Sequence, residues 1–155
     1  MRSVLVRTLW VLIGSAAIAL AQGTAKPADE LSPGSPQVVQ PQDLAKALKS
    51  GQKPVILYVG PKTFYSQAHI PGAENLGPAG RREGLEALRA RAASLPKNSA
   101  VVIYCGCCPW DHCPNIRPAY AELKKAGLTN VRALYLATSF GVDWKDKNLP
   151  VTSGE

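Results

Sequence analysis

The chain has no lysine or arginine cluster and no basic stretch interleaved with aromatic residues, so its formal net charge of +7 does not form the footprint of a nucleic-acid-binding protein. It has no internal repeat, which excludes a solenoid or a propeller. Its main apolar run, Leu9 to Leu20, is shorter than the roughly 20 residues that cross a bilayer. Histidine is confined to His69 and His112, so any imidazole chemistry must pass through one of these two. Cysteine is absent everywhere except within nine consecutive positions, Cys105, Cys107, Cys108 and Cys113. Four thiols so close together point to nucleophilic chemistry, disulfides or a metal.

The short apolar run follows Arg2 and Arg7 and ends in Ala19-Leu20-Ala21, the pattern of a secretory signal with a small-residue cleavage site. The expected mature chain begins near Gln22, is exported to the periplasm or beyond, and keeps no stable membrane insertion. Residues 1–21 carry two arginines and no acids, so the mature chain has 16 basic and 11 acidic residues, a net +5. Such a mild excess suits small anions or an acidic protein partner rather than a nucleic acid. Residues 22–37 are rich in proline, glycine and serine, with Leu31 their only large aliphatic, and read as a flexible linker. Residues 38–155 form a normal length for one domain.

Within that domain, Pro41 to Ser50 has helical spacing at Leu44, Ala47 and Leu48 and stops at Gly51. Pro54 to Val59 is a continuous apolar strand. Glu83 to Ser94 repeats Leu85, Leu88, Ala92 and Leu95 at helical spacing, with Pro96 beyond. Val101 to Tyr104 is a second buried strand, Arg117 to Ala126 a helix closed by Gly127, and Val131 to Leu136 a third strand. Strands without polar alternation, separated by helices, predict an α/β fold with a parallel sheet covered on both faces. The cysteines then occupy a strand-to-helix loop, where α/β proteins bind ligands.

Further blocks carry a family resemblance. His69-Ile70-Pro71-Gly72-Ala73-Glu74-Asn75 begins eleven residues after Tyr58; Gly127 to Val131 follows the third helix; Trp144 and Leu149-Pro150-Val151 close the domain. With a buried strand ending in a cysteine, these blocks make residues 38–151 resemble the rhodanese-like (sulfurtransferase) domain. The resemblance implies a sulfurtransferase or sulfur carrier that forms a persulfide on Cys105, needs no cofactor, and serves a small sulfur-containing anion or a thiol acceptor. A thiolate at the head of a helix, among loop amides, is expected to ionise below the free value of about 8.5. Gly106, Cys107, His112 and Arg117 are the candidate substrate-binding residues, and Cys108 and Cys113 the candidate redox partners.

The chain also departs from the family pattern. The loop after Cys105 is about five residues longer, and Asn115 stands nearest the usual arginine, leaving Arg117 as the nearest cation. Tyr58 and Gly60 stand where aspartate and arginine are common, and Phe140-Gly141 replaces part of a glycine pair. Cys105 and Cys108 form a C-x-x-C, and a Cys108–Cys113 bridge closes a loop of six residues worth about 2 kcal/mol. These features keep a second function open, a thiol-disulfide redox or soft-metal-binding accessory protein. Structural zinc sites, however, draw ligand pairs from separate segments, so no resident metal is expected. His69 reads as a turn residue bonded to backbone, and Trp110 as either a recognition residue or a plug for the loop.

Overall fold

In the computed structural model the described residues are 30–154. The expected signal 1–21 and the first part of the linker lie outside them. Five parallel strands, β1 (Val38–Val39), β2 (Val55–Tyr58), β3 (Glu74–Asn75), β4 (Val101–Tyr104) and β5 (Val131–Leu134), form one sheet in the order β1-β5-β4-β2-β3. The helices α1 (Pro41–Lys49), α2 (Lys62–Gln67), α3 (Arg82–Ala93), α4 (Ile116–Lys125) and α5 (Phe140–Asp143) cover it on both sides. Short 3-10 turns run over Trp110–His112 and Lys145–Lys147. Among the described residues no helix is long and apolar enough to cross a membrane.

Alternation along β4 divides the core in two. Val101, Ile103 and Cys105 join Leu88 of α3 and Ile116, Ala119, Tyr120 and Leu123 of α4. Val102 and Tyr104 join Leu44 of α1, Tyr65 of α2, and Phe140 and Trp144. Because both faces are covered, neither set of alternate positions is polar, and the sequence shows a continuous apolar run instead.

The sequence located the principal helices and three strands, with ends shifted by one or two residues. The third strand stops at Leu134, although Leu136 stays buried. It did not resolve β1 and β3, which are two residues each, nor α2 and α5, which are six and four residues long; so few residues leave no period to read.

The described part of the expected linker is ordered against the domain. Leu31 is 1 % exposed and belongs to the α3/α4 core, while Tyr120 donates its hydroxyl to Glu30 at 2.6 Å. Ala133 N–H donates to Gln37 O at 2.8 Å, just before β1 joins the sheet edge. Residues 30–37 are therefore a strap rather than a tether: one large aliphatic side chain buries enough apolar surface to hold a turn-rich segment.

The His69–Asn75 block closes the other end of the sheet. His69 pairs with Thr152 as an antiparallel bridge, its ring stacks on Tyr65 at 3.7 Å, and Nδ1 lies 2.8 Å from Tyr65 O. This is the backbone-bonded turn role read from the sequence. Trp144 is fully buried and donates Nε1–H to Pro150 O at 2.8 Å, fixing the C-terminal segment.

Leu31→Ala is expected to lower unfolding stability by about 2–3 kcal/mol, the lower part of the range for emptying a leucine site. Urea denaturation checks this; a loss below about 0.5 kcal/mol, the range of surface substitutions, would show that the strap contributes no core packing.

Candidate active site

The register of β2 and β4 pairs Tyr58 with Tyr104, so the two strands end level. Val59 and Cys105 consequently leave the sheet side by side, and Gly60 follows. A Cβ on Gly60 would lie 2.8 Å from Cys105 Sγ and 2.6 Å from the Tyr58 hydroxyl, so only glycine leaves room for the thiol. Immediately after Cys105, Gly106 takes φ +77° and accepts from Phe140 N–H at 3.0 Å; a Cβ there would meet Phe140 at 2.6 Å. The chain turns sharply and is pinned to the start of α5.

Cys105 is 2 % exposed, yet it lines a cavity of about 290 Å³ with Tyr58, Phe64, Gly106, Cys107 and Lys145. Its Sγ accepts from Asn115 Nδ2 at 3.2 Å and lies 3.2 Å from Cys107 Sγ. Asn115 is buried, and its Oδ1 accepts from Gly80 N–H at 2.8 Å. The amide is thereby oriented with its donor end at the sulfur. Asn115 was noted in the sequence only as the residue in the arginine's place. Its position directly before a helix suggests a cap, but its side chain does not cap α4 and serves Cys105 instead.

The four thiols are free, and three of them form a chain of contacts: Cys105 lies 3.2 Å from Cys107, and Cys107 lies 3.3 Å from Cys108. Cys108 and Cys113, the pair expected to bridge from the spacing, are both free thiols in this structure. Four sulfurs around zinc stand about 3.8 Å apart, wider than the 3.2–3.3 Å contacts in this chain. Among the described residues no group of three or more His, Cys, Asp and Glu is disposed to hold a metal ion.

The sulfurs of this cluster are shifted in opposite directions. Cys113 is lowered to about 6, first by the hydrogen bond from Cys105 and then by the backbone N–H groups of Asn115 and Ile116 at the head of α4. Cys105 is raised, first because its S–H is committed to Cys113 and then by burial. Burial pushes Cys108 up to about 12. The backbone N–H groups of Asn115 and Ile116 favour the thiolate of Cys113, which precedes the helix by three residues, whereas Cys105 lies at the strand end and meets the Asn115 side-chain amide. Tyr58 is raised by burial and by the neighbouring Cys105, so its hydroxyl stays protonated and donates to Pro61 O at 3.1 Å.

Gly106 and Cys107 line the cavity, while Cys108 and Cys113, together with Cys105, line a small crevice of about 10 Å³ behind it. Trp110 is buried against Tyr135 at 5.2 Å and plugs the loop. His112 and Arg117 are exposed and line none of these spaces. The extended loop turns His112 outward, and Arg117 lies on the first turn of α4 beyond Asn115. The cation at the cavity is Lys145, which sequence spacing did not single out because it is brought there by the 3-10 turn after Trp144.

Lowering the pH through about 6 is expected to protonate Cys113 and remove one thiolate from the reduced protein. Thiolate absorbance in the ultraviolet should show a midpoint near that value, and Cys113→Ser should abolish the transition. A midpoint that survives in the variant would place the charge on another sulfur.

The family model for the rhodanese-like domain matches residues 40–136. Among solved structures, the Alr3790 protein of Anabaena sp. is 25 % identical, with a TM-score of 0.57 over 74 % of this chain and 82 % of that one. The BH2092 protein of Bacillus halodurans is 22 % identical, with a TM-score of 0.58 over 74 % and 75 % of the two chains. A thiosulfate sulfurtransferase of Pseudomonas aeruginosa is 20 % identical, with a TM-score of 0.58 over 83 % of this chain but only 21 % of its own length, and shares the fold. No curated protein matches the chain. A mixed α/β domain with a parallel five-stranded sheet, matched by the family model over more than half of its length, belongs to the rhodanese-like domain family.

Proposed function

We propose that the protein is an exported rhodanese-like sulfurtransferase or sulfur carrier that forms a persulfide on Cys105. The observation that carries this reading is the placement of Cys105 at the end of β4, where its thiol accepts from Asn115 and faces a cavity large enough for a small anion, with Cys113, whose pKa is lowered to about 6, behind it. Cys113 is then the base. As Cys105 attacks the sulfane sulfur of an anionic donor such as thiosulfate, its proton passes to Cys113. The donor S–S bond breaks, sulfite leaves with the electron pair, and the outer sulfur remains on Cys105 as a persulfide anion. The Asn115 amide, fixed by Gly80, donates to the anionic site without having to reorganise. A second nucleophile removes the outer sulfur, and the proton returns from Cys113 to Cys105.

Lys145 replaces Arg117 as the donor-attracting cation in this account, because it lines the cavity and Arg117 does not. The export reading rests on Arg2, Arg7 and the Leu9 to Ala21 segment, and the acidic-partner reading on the +5 balance of the mature chain. A second reading, thiol-disulfide exchange by the same cluster, is favoured by the continuous chain of sulfur contacts.

Steady-state turnover of thiosulfate with cyanide as acceptor tests the proposal. Cys105→Ser is expected to lose more than about 10³-fold in rate, as removal of a nucleophile does. Lys145→Ala should raise KM for thiosulfate by about 2–5-fold, the worth of one exposed charge contact, and Arg117→Ala should change it less. Turnover in Cys105→Ser equal to that of the wild type would overturn the sulfurtransferase reading; loss of disulfide-exchange activity alone in that variant would favour the second.

A further inference from the structure

Cys107 is the one cysteine that lines both of the larger cavities at this end of the sheet. It lines the 290 Å³ cavity beside Cys105, and it also lines a second cavity of about 460 Å³ with Lys62, Pro78, Arg81 and Pro114, a space that Cys105 does not reach. It is half-buried where Cys105 is fully buried, and the two sulfurs are 3.2 Å apart. The second cavity has the volume of a small-ligand site, and its lining carries two basic side chains and no acidic one.

We propose that Cys107 is a second sulfur-carrying residue, which takes the sulfane sulfur from Cys105 and presents it in the Lys62/Arg81 cavity to an anionic thiol acceptor. The proposal rests on the reading of Cys105 as the persulfide site. In the transfer step the Cys107 sulfur attacks the outer sulfur of the Cys105 persulfide. A new S–S bond forms to Cys107, the S–S bond to Cys105 breaks, and the Cys107 thiol proton passes to the departing Cys105 sulfur. Nothing is oxidised or reduced overall, and no further reactant is needed. An in-line transfer places the two sulfurs about 4.1 Å apart, two S–S bonds end to end. The 3.2 Å contact must therefore open by about 1 Å. Cys107 has that freedom on a partly exposed loop, whereas Cys105 is fixed by the strand and by Asn115.

Two acceptors separate the two mouths. Cyanide is small enough to meet Cys105 directly, whereas glutathione is a larger thiol with a net negative charge that suits the basic cavity. The experiment loads the reduced protein with thiosulfate, removes the excess, and measures turnover with each acceptor. The ratio of glutathione-dependent to cyanide-dependent turnover is expected to fall about tenfold or more in Cys107→Ser. Arg81→Ala should lower it several-fold with glutathione but leave the corresponding ratio for neutral 2-mercaptoethanol unchanged. Fragment-ion mapping of the loaded wild type should find the extra sulfur on both Cys105 and Cys107. Sulfur confined to Cys105, with an unchanged acceptor ratio in Cys107→Ser, would overturn the relay and leave the Cys105 persulfide standing. Release of hydrosulfide with formation of a Cys105–Cys107 disulfide would also overturn it, because attack would then fall on the inner sulfur. Failure of thiosulfate to load any cysteine would overturn the parent reading and this one with it.

Discussion

The parallel pairing of β2 with β4 is the constraint on which the site depends. With Tyr58 level with Tyr104, Val59 leaves its strand level with Cys105, and the missing side chain of the next residue, Gly60, becomes the space beside the thiol. A register shift of one residue would exchange the two faces of β4 and turn the cysteine toward the α1/α2 side. The same pairing sets Tyr58 edge-to-face against Tyr104 with ring centroids 5.1 Å apart, and the Tyr104 hydroxyl accepts from Ile70 N–H at 3.1 Å. The His69–Asn75 turn, the sheet edge and the cysteine are thereby tied into one rigid unit. Reacting groups supported in this way stay in position without rearrangement during the reaction.

In the proposed mechanism access belongs to Cys105 and ionisation to Cys113. Charge on a sulfur buried with Cys105 would be costly, because burial penalises the ionised form. Cys113 stands just before the head of α4, where the nearby backbone N–H groups of Asn115 and Ile116 offset the cost of its burial. The long loop makes this possible. It carries Trp110 inward as a plug beside Cys113 and leaves Asn115 to bond to Cys105 in place of a charged side chain. A neutral amide with both ends satisfied is a milder partner than an arginine. It also leaves the positive charge of the site to Lys145, and to Lys62 and Arg81 on the far side of Cys107.

What the sequence showed and what it hid follow from how each feature is encoded. The apolar runs of β2, β4 and β5 and the helical spacing of α1, α3 and α4 were legible because burial on both faces leaves a strong local pattern. The His69–Asn75 block and the placement of Cys105 after β4 carried the family resemblance. The role of Asn115 was hidden, because its bonds reach Cys105 and Gly80 across ten and 35 residues of chain. The allocation of charge to Cys113 was hidden too, since a count of residues from Cys105 to the helix does not say which sulfur the amides of Asn115 and Ile116 address. Leu31 looked like an isolated aliphatic in a linker because its partners lie on helices some sixty to ninety residues further on.

The central claim is that Cys105 accepts a sulfane sulfur while Cys113 takes its proton. Rapid mixing of the reduced protein with excess thiosulfate, without an acceptor, tests it most directly through the sulfite released. The account predicts a burst of one equivalent of sulfite per chain, lost in Cys105→Ser and slowed in Cys113→Ser. A burst of the same size and rate in Cys105→Ser would contradict it.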